Sequence, residues 1–103
     1  MRNLRLLFAT LCLFATENPL HAQWVRANGL DGGSVLCLAV SGTNLLAGTS
    51  SDGIFLSTDN GTGWTQVNSG LTNRLVLTLA ASGTNLFAGT SGGGVFLSTN
   101  NGA

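Results

Sequence analysis

Ser41-Gly42-Thr43-Asn44-Leu45-Leu46-Ala47-Gly48-Thr49-Ser50 returns 41 residues later as Ser82-Gly83-Thr84-Asn85-Leu86-Phe87-Ala88-Gly89-Thr90-Ser91, with a single change, Leu46 to Phe87. Extended outward, Gly29–Thr62 aligns with Gly70–Ala103 without a gap, and 22 of the 34 positions are identical. Val35, Leu36, Leu38 and Ala39 recur as Val76, Leu77, Leu79 and Ala80, and Phe55-Leu56-Ser57-Thr58 recurs as Phe96-Leu97-Ser98-Thr99. The chain is therefore an internal repeat, and its fold must be one that repeats.

Within each copy, short apolar runs alternate with turn residues. Val35 to Val40 reads as a first strand. Ser41-Gly42-Thr43-Asn44 is a turn, because Gly and Asn accept positive φ at low cost. Leu45 to Thr49 is a second strand, and Asp52-Gly53 is a hairpin signal leading into a third, Ile54 to Thr58. Trp64 to Asn68 is a fourth. The second copy places strands near Leu75 to Ala81, Leu86 to Thr90 and Val95 to Thr99. Gly92-Gly93-Gly94 reads as a hairpin turn; no Lys follows, so a phosphate loop is unsupported.

Four strands in a period of about 40–45 residues is the size of one propeller blade. The expected fold class is all-β, built from four-stranded antiparallel β-propeller blades, about two of them, in an incomplete propeller. Strand one is apolar at successive positions, so both of its faces are expected to be buried. Strand four, Trp64-Thr65-Gln66-Val67-Asn68, is mostly polar, as an outer strand should be. A parallel β-solenoid is the alternative; its repeats are usually shorter, and strict hairpin signals fit it poorly.

Upstream of the repeats lies a targeting pattern. Arg2 and Arg5 precede Leu6 to Ala15, a run of ten residues dominated by apolar side chains, and Leu20-His21-Ala22 supplies a small residue for cleavage. Such a run is too short to span a bilayer, which takes about 20 apolar residues. Residues 1–22 are thus expected to be a secretory signal cut after Ala22, making the protein secreted or periplasmic with no membrane attachment afterwards. Residues 23–28 are expected to form a closing outer strand, since Trp24-Val25-Arg26-Ala27-Asn28-Gly29-Leu30 parallels Trp64 to Leu71 with one residue missing. Residues 29–69 form repeat 1, and residues 70–103 an incomplete repeat 2.

Cleavage leaves 81 residues without His, Glu, Lys, Tyr or Met. Two Arg stand against Asp31, Asp52 and Asp59, for a net charge of −1. No basic patch argues for nucleic acid. Without His, serine and cysteine triads lack their usual base. One Cys and three Asp are an inadequate set for zinc. Cys37, alone after cleavage, cannot close an intrachain disulfide; its place in an apolar run predicts burial as a small hydrophobe.

The loop after strand three carries a motif. Ser57-Thr58-Asp59-Asn60-Gly61-Thr62-Gly63-Trp64 resembles the Asp-box, or BNR repeat, Ser-x-Asp-x-Gly-x-Thr-Trp, with Gly63 departing from the usual Thr or Ser. The second copy, Ser98-Thr99-Asn100-Asn101-Gly102-Ala103, has Asn100 in place of the Asp. The surrounding string is similar to blades of photosystem II assembly factor-like propellers and sortilin-type secreted propellers. The resemblance implies a structural Asp-box at Ser57, Asp59, Gly61 and Trp64. A short carboxylate at Asp59 can accept N–H groups of its own loop, Gly61 permits positive φ, and Trp64 anchors the loop by burial. A calcium or glycan site on Asp59 and Asp52 is a sharper reading, but two Asp are a thin cage for an ion that takes 6–8 oxygens. Asn60-Gly61-Thr62 also matches an N-glycosylation sequon, overlapping the folded loop.

These observations predict no catalytic residues, no cofactor and no metal, hence no enzyme. Sialidases share the Asp-box, but their arginine triad and tyrosine nucleophile have no counterparts here. The expected function is a secreted, non-catalytic β-propeller repeat protein, a scaffold binding a protein or glycan ligand through its loops. The alternative is an N-terminal fragment of a secreted, sialidase-like Asp-box glycoside hydrolase with its catalytic residues elsewhere. A stop inside an Asp-box makes the chain read as the N-terminal piece of a longer propeller. The competing reading is a homo-oligomer that forms through open blade edges, the stretch near Trp24 pairing beside Val95 to Thr99.

Overall fold

A computed structural model describes residues 23–27, 29–30 and 33–102. The expected signal segment, residues 1–22, lies outside the described residues, as do Asn28, Asp31, Gly32 and Ala103. The fold is all-β and antiparallel. β1 (Val35–Ser41), β2 (Asn44–Thr49), β3 (Ile54–Ser57) and β4 (Thr65–Gln66) form one sheet in that order. β5 (Val76–Ser82), β6 (Asn85–Thr90) and β7 (Gly94–Ser98) form a second sheet, also in chain order. Among the described residues, no helix is long and apolar enough to cross a membrane.

Register assigns each side chain to a face, because residues directly opposite in an antiparallel pair share one. In the first sheet, Ala39 faces Leu46 and Leu46 faces Leu56; Cys37 faces Gly48 and Gly48 faces Ile54. These residues make the inner face. Leu38, Ala47 and Phe55 make the other. The second sheet repeats the arrangement: Leu79, Ala88 and Phe96 on one face, Ala80, Phe87 and Leu97 on the other.

Both sheets carry the same irregularity. Val35 opposes Thr49 while Cys37 opposes Gly48, leaving Leu36 as an extra residue; Leu77 is the extra residue between Val76 and Thr78. A bulge shifts the alternation by one position. It therefore turns Val76 onto the same face as Leu79, where strict alternation would have put it on the opposite one.

The core lies between the sheets. The Leu79–Ala88–Phe96 face of the second sheet packs on the Cys37–Leu46–Ile54 face of the first. Leu46, Ile54, Leu71, Val76, Leu79, Leu86 and Ala88 are buried there, with Cys37, Ala39, Leu56, Val67 and Phe96 partly buried around them. The Gly53 N–H donates to the Arg74 carbonyl (3.1 Å) and the Ser41 hydroxyl to Asn101 Oδ1 (2.9 Å), tying the repeats at two further points.

Two expectations change. Strand one was expected to be buried on both faces; instead Leu36, Leu38 and Val40 are exposed, because the second sheet covers only the opposite side. Within this chain, residues 23–27 of the expected closing strand 23–28 lie outside any strand and are exposed, and among the described residues β7 pairs with β6 alone. The polar outer strand survives as β4, two exposed residues.

Candidate functional site

β3 ends at Ser57, whose side chain is almost completely buried. Its hydroxyl organises the loop that follows. Ser57 Oγ donates to Asp59 Oδ1 (2.8 Å) and accepts the N–H groups of Gly61 (2.8 Å) and Asp59 (3.4 Å). Asp59 Oδ1 also accepts the Gly63 N–H (2.9 Å), and Trp64 Nε1 closes the loop by donating to the Gly61 carbonyl (3.1 Å). The chain can turn this tightly because Asn60 and Gly61 are left-handed, with φ of 59° and 88°. Ser57, Asp59, Gly61 and Trp64 thus meet in one hydrogen-bonded loop. The Gly63 N–H, followed by the Ser57 hydroxyl, holds the Asp59 carboxyl below its ordinary pKa.

The second loop repeats this geometry with Asn in place of Asp. Ser98 Oγ donates to Asn100 Oδ1 (2.8 Å) and accepts from Gly102 N–H (2.7 Å) and Asn100 N–H (3.3 Å). Asn101 and Gly102 have φ of 58° and 86°. The position needs one acceptor oxygen for a serine hydroxyl, which an amide supplies as well as a carboxylate does. A structural role therefore accounts for both versions.

Asp52 and Asp59 do not converge. Asp52 sits in the turn before β3, near the Gly33 N–H (3.4 Å), and Asp59 in the loop after it. The extended chain between them separates the two by on the order of 20 Å. Asp31 lies outside the described residues.

Several contributors were not singled out from sequence. Thr49 Oγ1 donates to the Gly53 carbonyl (2.8 Å) and accepts the Asp52 N–H (3.0 Å), closing the β2–β3 turn. Thr90 makes the same bond to Gly94 (2.8 Å); the recurrence of Ala-Gly-Thr-Ser was the available signal. Asn68 spans the turn from outside: its Nδ2 donates to the Asp52 carbonyl (2.9 Å), and its Oδ1 accepts the Ile54 N–H (2.8 Å).

Cys37 lies where the two sheets meet, beside Gly48 and Val76. It is half-buried, less than its apolar run suggested. Its thiol is directed at the Val76 carbonyl (3.8 Å), and burial raises its pKa against a smaller opposing effect of the Gly48 N–H. A methyl group at Gly48 would lie 2.5 Å from Cys37 Sγ and 2.7 Å from Val76 Cγ1, so only glycine leaves room for Val76. Further out, the sheets splay into a groove of about 270 Å³, lined by Ile54, Val67 and Leu71 from one side and Leu86, Ala88 and Phe96 from the other. No ionisable side chain lines it.

No protein-family model matches the chain, and no curated protein matches it.

Proposed function

We propose that this chain is a secreted, non-catalytic repeat protein whose two sheets are consecutive β-propeller blades, and that it binds a protein or glycan through the loops at the blade ends. The observation that carries this reading is the stacking of one repeat on the next through non-identical faces, each sheet in meander order. Stacking of that kind propagates, which is how blades surround an axis. The Asp-box loops support it as struts: Ser57 Oγ and Asp59 Oδ1 are engaged by groups of their own loop, as Ser98 Oγ and Asn100 Oδ1 are in the second. The hairpin turns at Gly42 and Gly83 and those at Ser51 and Gly92 then form two sets of loops, one at each end of the stack, where ligands bind when rigid scaffolds present variable connections.

Export and binding are tested together. The full chain expressed in a bacterium with an outer membrane is expected to appear outside the cytoplasm with Gln23 as its first residue. The exported protein, labelled and applied to a glycan array, is expected to retain a discrete set of glycans, with binding lost on exchange of the Ser50–Asp52 or Ser91–Gly93 turn. Fluorogenic glycosides are expected to remain uncleaved. Cytoplasmic retention of the unprocessed chain would refute the export reading. Turnover of a glycoside would refute the non-catalytic one.

A further inference from the structure

Equivalent residues of β1 and β5 have the same chemistry but opposite exposure, while Ala47 and Phe55, beside Leu38 on the outward face of the first sheet, are buried. Val76 is fully buried and its counterpart Val35 is 42% exposed; Leu79 is 9% exposed and its counterpart Leu38 is 68% exposed. On the other faces the imbalance reverses. Ile54 is 5% exposed and its counterpart Val95 is 71% exposed. Phe87 and Leu97, the counterparts of Leu46 and Leu56, are exposed too. So the outward face of the first sheet is a copy of the face that docks within the chain. The outward face of the second sheet is a copy of the face that receives it.

We infer that a second copy of this chain docks head-to-tail: the Val35–Leu38–Val40 face of one copy packs on the Phe87–Val95–Leu97 face of the next. The contact reproduces the interface already present between the two repeats. Its notch is present: Thr78 and Gly89 stand where Cys37 and Gly48 stand, and the absence of a Cβ at Gly89 leaves the opening that Gly48 leaves for Val76. Its key is present as well, since the β1 bulge turns Val35 to the same face as Leu38, as the β5 bulge does for Val76. No strand in either sheet contains a charged residue, so neither face carries a charge to oppose the contact. Such a contact is heterologous and closes when the rotation per copy divides the circle. A ring of about 4–8 blades takes about two to four copies of two sheets each. Contact through faces differs from pairing through edges, because it requires two different surfaces and leaves the ladders as they are. The inference rests on the repeat-stacking part of the reading above and is independent of export and of ligand binding.

Complementation between two variants tests it. Leu38→Asp and Leu97→Asp each place a charge on one exposed face without touching the core. The full chain is expected to run as a discrete oligomer by light scattering after size exclusion, and each variant as a folded monomer. An equimolar mixture of the variants is expected to form a heterodimer and nothing larger, because it retains one intact pair of faces. A wild-type monomer with a β-type circular dichroism spectrum would overturn the docking and leave the blade reading standing. A chain without β-structure would overturn both. Assembly unaffected by either charge would overturn the docking in favour of edge pairing or of cover by residues 1–22. Monomeric variants that fail to complement would overturn it in favour of like faces meeting like.

Discussion

Gly48→Ala should destabilise the protein, whereas Gly89→Ala, the same change in the other repeat, should not. Neither glycine has positive φ, so the backbone of both accepts alanine. At Gly48 the added methyl would lie 2.5 Å from Cys37 Sγ and 2.7 Å from Val76 Cγ1, against ordinary contact distances of about 3.5–4.0 Å. Each neighbour must retreat by about 1 Å, and Val76 is fully buried between two sheets, with no free side to move into. Overpacking of this kind costs ~1–3 kcal/mol. The lower entropy of the unfolded alanine chain returns ~0.4–1 kcal/mol. The net loss is about 0.5–2 kcal/mol, a fall in melting temperature of roughly 2–16 °C for a domain of this size. At Gly89 the methyl meets only Thr78 Cγ2 at 2.6 Å, and Thr78 is exposed and free to change rotamer. The cost there should lie within about 0.5 kcal/mol of zero. Urea unfolding followed by tryptophan fluorescence, with both substitutions made in the Leu97→Asp background, compares them with that face open. Equal stabilities for the two variants would refute the claim that contact between repeats, and not the local strand, makes Gly48 necessary.

Ser57→Ala removes one hydroxyl that serves three loop hydrogen bonds and should cost about 1–3 kcal/mol in urea unfolding, with the Trp64 emission altered before global unfolding. Asp59→Asn should leave stability near neutral pH almost unchanged, since Asn100 already performs the same task. It should, however, remove a pH dependence. The lowered Asp59 pKa adds stability that is complete above the ordinary carboxylate pKa and is lost as pH falls through the depressed value, so wild type should weaken below about pH 4 more steeply than the variant. Parallel acid titrations of melting temperature would contradict this. Cys37, partly buried and with a raised pKa, should react with iodoacetamide more slowly at pH 8 than a free thiol does, and at the free-thiol rate in urea. Native-state labelling at the free-thiol rate would show that the sheets do not close over it.

Strand positions were legible from sequence because turn chemistry is local. Gly42, Asp52-Gly53 and Gly83 mark hairpins by what their own backbone can do, and every strand end falls within a few residues of its expected place. The loop at Ser57 was legible for the same reason: a short side chain bonding to N–H groups two and four residues away needs no distant partner. The burial of strand one was not. Leu36, Leu38 and Val40 carry the same apolar signal as Leu77 and Leu79, and no property of the segment says whether a neighbouring sheet covers it. The bulge was also invisible, since Leu36 and Leu77 look like any residue of an apolar run until register shows them to be extra.

The sequence by itself therefore determined the repeat, its strands and its turns, because periodicity and positive-φ residues act over a few neighbouring positions. Only the tertiary structure decided that Val76 is a key and Val35 an exposed copy of it. Two segments of nearly identical sequence have the same propensities, and burial is a relation between surfaces that no single segment possesses alone.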